Sequence, residues 1–130
     1  MILLDTHVVV WLSFAEEKIS RKARNAIDTA RKNGEGLAIS DITLLELATL
    51  VRKGRIRPTI GLETFLAEVE ARFVVLPMTG RVCARAMSFP DSYPKDPADR
   101  IIGATALVEG ITLLTADRNV ARSGAIPTLW

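Results

Sequence analysis

Short apolar runs alternate along the chain with longer segments whose apolar residues recur at helical spacing. Runs of three or four residues fit buried strands, whereas the longer segments fit amphipathic helices. We predict strands at 1–4, 37–39, 73–76 and 111–114, and a further edge strand at 126–129, where Pro127 disfavours a central position. We predict helices at 6–14, 20–32, 41–53, 62–71, 79–87 and 97–109, and a short helical turn from Asp117.

Strands that alternate with helices throughout a chain predict a parallel sheet covered by helices on both faces. We therefore expect an α/β fold, a three-layer α/β/α sandwich with a mostly parallel sheet of four to five strands. The chain has 130 residues and contains neither an internal repeat nor a low-complexity segment. This length suits one compact core, so we expect a single domain over residues 1–130.

The composition is that of a globular protein, with 48% hydrophobic and 25% charged residues. No apolar run approaches the roughly 20 residues that span a bilayer, and no basic region precedes the first apolar run as it would in a secretory signal. Cys83 is the only cysteine, which excludes an internal disulfide and a multi-cysteine metal site. We expect a cytoplasmic protein without a membrane partner. The net charge of +2 does not by itself indicate nucleic-acid binding.

Two acidic residues follow predicted strands. Asp5 comes directly after the first strand, and Asp117 comes two residues after the fourth. The carboxyl ends of parallel strands lie at one edge of a sheet, where ligands bind. The two carboxylates therefore face each other if their strands are neighbours. The alternative is that each acid simply caps the helix that follows it.

Two further acids lie on predicted helices. Glu46 stands between Ile42 and Leu50, four residues away on either side and on the same helical face. A carboxylate in an apolar stripe costs several kcal/mol unless another group compensates its charge. Asp99 lies in the first turn of the helix that Pro97 opens. A purely structural role explains this position equally well, with Asp96 as the N-cap and Asp99 as an acid that complements the helix dipole.

Four carboxylates at one edge would repel each other strongly, and a divalent cation would compensate that repulsion. Sites made only of oxygen atoms suit Mg²⁺ or Mn²⁺. A pair of such ions can bind the attacking and leaving oxygens of a phosphodiester, so no serine, cysteine or histidine nucleophile is required. The only histidine, His7, is interpreted as a helix-start residue, with substrate or water contact as the less favoured alternative.

Four segments together resemble the motifs of the PIN-domain family. They follow one another in the order expected of that family and are spread over essentially the whole chain: residues 3–7 (LLDTH), 40–47 (SDITLLEL), 96–102 (DPADRII) and 114–117 (LTAD). The sequence is most similar to the VapC-like toxins of bacterial and archaeal toxin–antitoxin systems. The resemblance implies an α/β/α sandwich, Mg²⁺- or Mn²⁺-dependent endoribonuclease activity, a homodimer, and a small antitoxin protein that blocks the site.

The resemblance also implies roles for particular residues. Asp5, Glu46 and Asp99 match the three main acids of the family, and Asp117 matches its more variable fourth. Asp96 matches a further acid, to which we assign a supporting or capping role. Thr6 and Thr115 could orient metal-bound water through their hydroxyls, although a plain helix-start role is as good for Thr6.

An RNA substrate requires contacts to its phosphates. The preferred candidates are the four cations that follow the Glu46 helix, namely Arg52, Lys53, Arg55 and Arg57. The alternative is that they complement the dipole at the helix C-terminus. Arg100, next to Asp99, could reach a phosphate or brace a carboxylate. Because only 5% of the residues are aromatic, we do not expect a stacking platform for single strands, and we assign Trp11 to the core or a dimer surface.

Two other functions remain open at the level of the sequence. The first is a phosphatase or phospho-acceptor domain with an aspartate nucleophile. Such sites usually have a partner acid two residues further on, where this chain has His7, and a lysine at a strand end, which this chain lacks. The second is a non-catalytic module that binds an antitoxin or another protein. Within the nuclease hypothesis, nothing in the sequence chooses between transfer RNA and ribosomal RNA.

Overall fold

Five strands are separated by one or two helices each, seven in all, in the computed structural model, which describes all 130 residues. The strands are β1 Ile2–Leu4, β2 Leu37–Ser40, β3 Val74–Leu76, β4 Leu113–Leu114 and β5 Thr128–Leu129. The helices are α1 Thr6–Phe14, α2 Arg21–Lys32, α3 Asp41–Arg52, α4 Leu62–Arg72, α5 Gly80–Met87, α6 Pro97–Glu109 and α7 Arg118–Ser123, with a short 3₁₀ turn at Glu16–Lys18 that the sequence did not predict.

The five strands form one parallel sheet in the order β3-β2-β1-β4-β5. β1 lies at the centre, and its Leu4 pairs with Leu114 of β4. The expected parallel sheet is confirmed, with five strands. Because β1 and β4 are neighbours in register, the residues that follow them, starting with Asp5 and Thr115, lie side by side at one edge of the sheet.

Successive residues of the central strands point to opposite faces of the sheet, and each face is covered by helices. Leu4 and Leu114 belong to a core that includes residues of α1, α2, α3 and α4. Leu3 and Leu113 belong to a second core with residues of α5, α6 and α7. The three-layer sandwich is therefore confirmed. None of the helices combines the length and the apolar character that crossing a membrane requires.

The element boundaries agree with the prediction to within two residues, and the largest differences, at the starts of β4 and β5, have local causes. β4 begins at Leu113, so the prediction of strand at 111–112 is wrong. Ile111 instead completes the end of α6: its N–H donates to the carbonyl of Ala106 at 3.0 Å, next to Gly110 with φ +66°. β5 is confined to two residues at the sheet edge, after Pro127.

Candidate active site

Asp5 is held rigidly where β1 meets α1. Its side chain is almost fully buried, with 5% of the residue exposed, and it caps α1 by accepting the backbone N–H of Thr6 at 2.9 Å. Its second oxygen, Oδ2, accepts the hydroxyl of Thr115 at 2.8 Å. Thr115 directly follows β4, so the pairing of β1 with β4 supplies this partner. The capping and the functional interpretations of Asp5 are thus compatible.

Glu46 of α3 is tied to the same edge through a chain of hydroxyls. The Thr6 hydroxyl donates to Oε1 of Glu46, and the Thr6 and Thr43 hydroxyl oxygens lie 3.1 Å apart. A hydroxyl has one hydrogen. The hydrogen of Thr6 is used by Glu46, so Thr43 donates to Thr6. The sequence did not single out Thr43, although it precedes Glu46 by three residues and therefore shares its helical face.

Burial raises the pKa of the Glu46 carboxyl above its usual value. The hydrogen bond from Thr6 opposes this shift, whereas the charges of Asp5 and Asp96 reinforce it. The predicted apolar surroundings are present, since Ile42 and Leu50 line a cleft together with Glu46.

Asp99 points into the site from the first turn of α6. It is Asp96 that caps this helix, accepting the backbone N–H groups of Ala98 at 2.9 Å and of Asp99 at 3.3 Å. The Asp99 carboxyl is left for the cleft that it lines with Asp5 and Glu46. Burial, followed by the charges of Asp5, Asp96, Asp117 and Glu46, raises the Asp99 pKa to about 7. The structural alternative is present as well, since Asp96 is the N-cap and Asp99 is the acid of the first turn, and it is compatible with a place for the Asp99 carboxyl in the cleft.

Asp117 stands beside this group and is at the same time a helix cap. Its Oδ1 accepts the backbone N–H groups of Asn119 at 2.8 Å and Val120 at 3.3 Å, at the start of α7. Its own N–H donates to the Thr115 hydroxyl oxygen at 3.0 Å. Asp117 does not line the cleft of the other three acids, but its charge contributes to the raised pKa of Asp99.

The two threonines named from the sequence orient carboxylates directly. The hydroxyl hydrogen of Thr6 is used by Glu46 and that of Thr115 by Asp5. Both side chains are buried, at 7% and 2% exposure. Instead of directing a hydroxyl hydrogen at bound water, as the sequence suggested, they fix the positions of two acids that come from different elements.

The basic residues divide into those that reach the site and those that do not. Two adjoining clefts of about 550 and 630 Å³ share Thr6, Glu46, Leu50 and Arg55. Lys53 lines the larger cleft, and Lys18, which the sequence analysis did not propose, lines the smaller. Arg52 and Arg57 are exposed and line neither cleft. The structure thus brings two of the four predicted cations to the acids and adds a third from the 3₁₀ turn.

Arg100 is engaged by backbone carbonyls of α5 and of the loop between α5 and α6. Its guanidinium donates to the carbonyl of Ala86 at 3.2 Å and of Tyr93 at 3.4 Å, and it lies 6.0 Å from the centre of the Tyr93 ring. It braces the loop backbone, and no hydrogen bond joins it to a carboxylate. Contact between Arg100 and a phosphate stays a prediction that this geometry does not favour.

The donor set suits a hard divalent cation. Asp5, Glu46 and Asp99 line one cleft, their donors are all carboxylate oxygens, and the raised pKa values of Glu46 and Asp99 show that their negative charges are poorly compensated. The carboxylates do not already form a closed ligand set, because no three His, Cys, Asp or Glu side chains are arranged to hold an ion. Binding of a cation would have to draw the three carboxylates closer together.

Comparison with known proteins gives a consistent result. A sequence model described as the PIN domain matches residues 2–125. The chain is 37% identical over 132 residues to "Ribonuclease VapC22" from Mycobacterium tuberculosis, and the match covers 99% of this chain and 98% of that protein.

Solved structures share the fold at lower identity. VapBC2 from Rickettsia felis, bound to a promoter DNA fragment, superposes with a TM-score of 0.73 at 21% identity, covering 99% of this chain and 98% of the other. A DNA-bound VapBC from Salmonella typhimurium gives a TM-score of 0.69 at 23% identity, with 99% and 98% covered. A toxin–antitoxin complex from Klebsiella pneumoniae gives 0.70 at 20% identity, with 100% and 97% covered. From the family match and the relative in Mycobacterium tuberculosis, the chain belongs to the PIN-domain family.

Proposed function

We propose that this chain is an endoribonuclease that hydrolyses RNA phosphodiester bonds with Mg²⁺ or Mn²⁺, and that it is the toxin of a toxin–antitoxin pair. The observation that carries the proposal is the convergence of Asp5, Glu46 and Asp99 in one cleft that Lys18 and Arg55 also line. The relative named as a ribonuclease and the structural neighbours named as VapBC complexes support it.

Asp5, Glu46 and Asp99 are the proposed metal ligands, and Asp117 completes the acidic edge. When bound, the divalent ions would activate water as the nucleophile and stabilise the charge that develops on the leaving oxygen. Thr115 and the backbone N–H of Thr6 hold the Asp5 carboxylate in one orientation, and the Thr6 hydroxyl does the same for Glu46. These buried donors limit the side-chain rotation of Asp5 and Glu46, so less conformational entropy would be lost when a cation draws the acids together.

Cations at the cleft would hold the substrate. Arg55 lines both clefts and Lys53 lines one of them, so both are placed to bind phosphates that enter beside Glu46. Arg52 and Arg57 lie outside the clefts and would contribute to long-range attraction at most. We further propose a homodimer and a cognate antitoxin protein as partner, as the family resemblance implies. From the length and the composition we propose one domain over residues 1–130 and a cytoplasmic location.

The test is cleavage of generic RNA by the purified chain in Mg²⁺, in Mn²⁺ and in excess chelator. We expect cleavage only with a metal ion. In Asp5→Asn we expect the cleavage rate to fall at least about 100-fold, because the substitution removes a carboxylate that binds the metal while it keeps the shape of the side chain. Asp28→Asn is the matched control, since Asp28 is an exposed acid on α2. Cleavage that persists in chelator or in Asp5→Asn would contradict the mechanism.

The same assay separates the two alternatives. Hydrolysis of a phosphomonoester with no cleavage of RNA would indicate a phosphatase with an acidic pocket. Full inactivity toward both, together with tight binding of a protein partner, would indicate a non-catalytic module.

A further inference from the structure

Glu46 stands at the junction of two clefts with different linings, whereas Asp5 and Asp99 line only the smaller of the two. Thr6, Glu46, Leu50 and Arg55 belong to both. Beyond this junction, one cleft continues along His7, Val10, Trp11 and Lys18, which we call the aromatic arm. The other continues along Ile42, Leu45, Thr49, Lys53 and Pro97, which we call the aliphatic arm. A strand bound at the acids therefore meets rings where it runs along the smaller cleft and aliphatic side chains where it continues past Glu46 into the larger one.

The aromatic arm is a cluster of rings that the fold assembles from both ends of the chain. The Trp11 ring lies 5.0 Å from the His7 ring and 5.6 Å from the Trp130 ring, between centres. Trp130 reaches this position because it follows β5, the neighbour of β4. Trp11 remains partly exposed, and the Lys18 ammonium lies 5.8 Å from its ring centre. From the small number of aromatic residues we did not expect a stacking platform. The fold nevertheless brings three of the rings together in one cluster.

The aliphatic arm contains no aromatic ring. Its most exposed apolar side chain is Leu45, which is 63% exposed, and Lys53 is its cation. Aliphatic side chains offer a base apolar area but no π-face. Of the two clefts, only the smaller one, which the three acids line, therefore offers stacking energy to single-stranded RNA.

We propose that the aromatic arm is a nucleotide subsite on one side of the scissile phosphate. The base stacks on the exposed part of the Trp11 ring, and Lys18 and Arg55 bind the phosphates that flank it. This inference rests on the proposed ribonuclease activity and makes it more specific, since recognition of the substrate is one-sided. The Trp11 indole is partly exposed, and its cleft also holds Lys18 and Arg55, so the arm supplies both the ring and the positive charge that a nucleotide requires.

The test uses short single-stranded oligoribonucleotides with one cleavage position, shortened stepwise from the 5′ end in one series and from the 3′ end in the other. In Trp11→Leu we expect KM to rise roughly tenfold, as loss of one stacked base predicts, with kcat within about twofold. Shortening the oligoribonucleotide from one end should abolish the difference in KM between Trp11→Leu and the unaltered chain. Shortening it from the other end should leave that difference unchanged. Trp11→Phe should recover most of the affinity.

Matched controls exist for both side chains. Phe14 is an exposed ring on the same helix but lines a separate cleft, so Phe14→Leu should leave KM unchanged. Lys18→Ala should raise KM, whereas Lys22→Ala, an exposed lysine of α2 outside both clefts, should not. Because Lys18 is exposed, its replacement also tests the subsite if Trp11→Leu fails to fold.

A binding measurement separates failure of this inference from failure of the proposed function. In chelator, an oligoadenylate should quench the tryptophan emission of the chain, and Trp11→Leu should lose that quenching. Quenching without cleavage of any RNA would contradict the proposed function and uphold the subsite. Cleavage with unchanged KM in both Trp11→Leu and Lys18→Ala, or a Trp11 effect that is equal for both shortened series, would overturn the subsite.

Discussion

The backbone N–H of Ala116 donates a hydrogen bond of 2.9 Å to Nε2 of His7. Because Nε2 accepts, the proton of the neutral ring is on Nδ1, which lies 3.8 Å from Oδ2 of Asp5. The imidazole thus joins the start of α1 to the loop after β4. Since that loop carries Thr115 and Asp117, His7 links two of the acids that the proposed reaction uses.

Replacing His7 tests whether this link positions the acids. His7→Leu removes the acceptor for Ala116, and we expect kcat to fall roughly tenfold because residues that orient metal ligands typically contribute 10–100-fold. His7→Gln, whose amide oxygen can accept the same N–H, should retain most of the activity. As the chain has one histidine, its ¹⁵N resonances report the tautomer without overlap, and we expect the Nδ1–H form. Resonances of the Nε2–H form would refute the bond.

The Thr115 hydroxyl is the second link between the acids. Thr115→Val keeps the shape of the side chain but leaves a buried carboxylate oxygen of Asp5 and the N–H of Asp117 without their partner. We expect the free energy of unfolding to fall by about 1–3 kcal/mol and Mg²⁺ affinity to fall by roughly tenfold. Denaturant titration and calorimetry measure the two effects. Thr115→Ser, which keeps the hydroxyl, is the control, and an equal loss in both variants would assign the effect to packing.

The sequence predicted those parts of the site that depend on local pattern. Asp5 follows a strand and Glu46 sits in an apolar stripe, and these features are visible within a few residues. The sequence also predicted that the carboxylates of Asp5 and Asp117 face each other if the strands that precede them are neighbours in the sheet. It did not predict the bond between His7 and Ala116 or the packing of Trp11 on Trp130, because each joins residues more than 100 positions apart through the sheet order β1-β4-β5.

The raised pKa of Asp99 predicts a pH-dependent stability in the metal-free chain. An acid with a higher pKa in the folded state binds more protons when folded, so the free energy of unfolding falls as pH rises between the unfolded and folded values. For Asp99 this window runs from 3.8 to about 7. In chelator we expect Tm to be lower at neutral pH than at about pH 5 by roughly 5 °C, and Mg²⁺ to reverse most of the loss.

Asp99→Asn separates this contribution from that of the other acids. The variant cannot ionise, so the difference in Tm between it and the unaltered chain should grow in favour of the variant as pH rises through the window. Asp28→Asn, at an exposed position of α2, should follow the unaltered chain. Parallel curves for Asp99→Asn and the unaltered chain would show that the Asp99 carboxyl has no raised pKa.

The last prediction concerns the support beneath Asp99. The Tyr93 hydroxyl donates to the backbone carbonyl of Asp99 at 2.8 Å, and its ring packs where α6 has Gly103. A Cβ at position 103 would lie 2.1 Å from the Tyr93 hydroxyl oxygen and 2.8 Å from Cζ. Helix propensity alone predicts that Gly103→Ala stabilises the chain by up to about 1 kcal/mol. We expect the opposite sign, a loss of about 1–3 kcal/mol from overpacking, together with lower kcat as Asp99 is displaced.

A double-mutant cycle decides between these two signs. Tyr93→Leu removes the atoms that meet the new Cβ, so Gly103→Ala should be far less destabilising in that background than in the unaltered chain, as measured by urea denaturation. Gly80→Ala is the control, because a Cβ at that helical position meets no atom within 4 Å. If Gly103→Ala proves as well tolerated as Gly80→Ala, then Tyr93 does not pack against α6 closely enough to hold Asp99 in place.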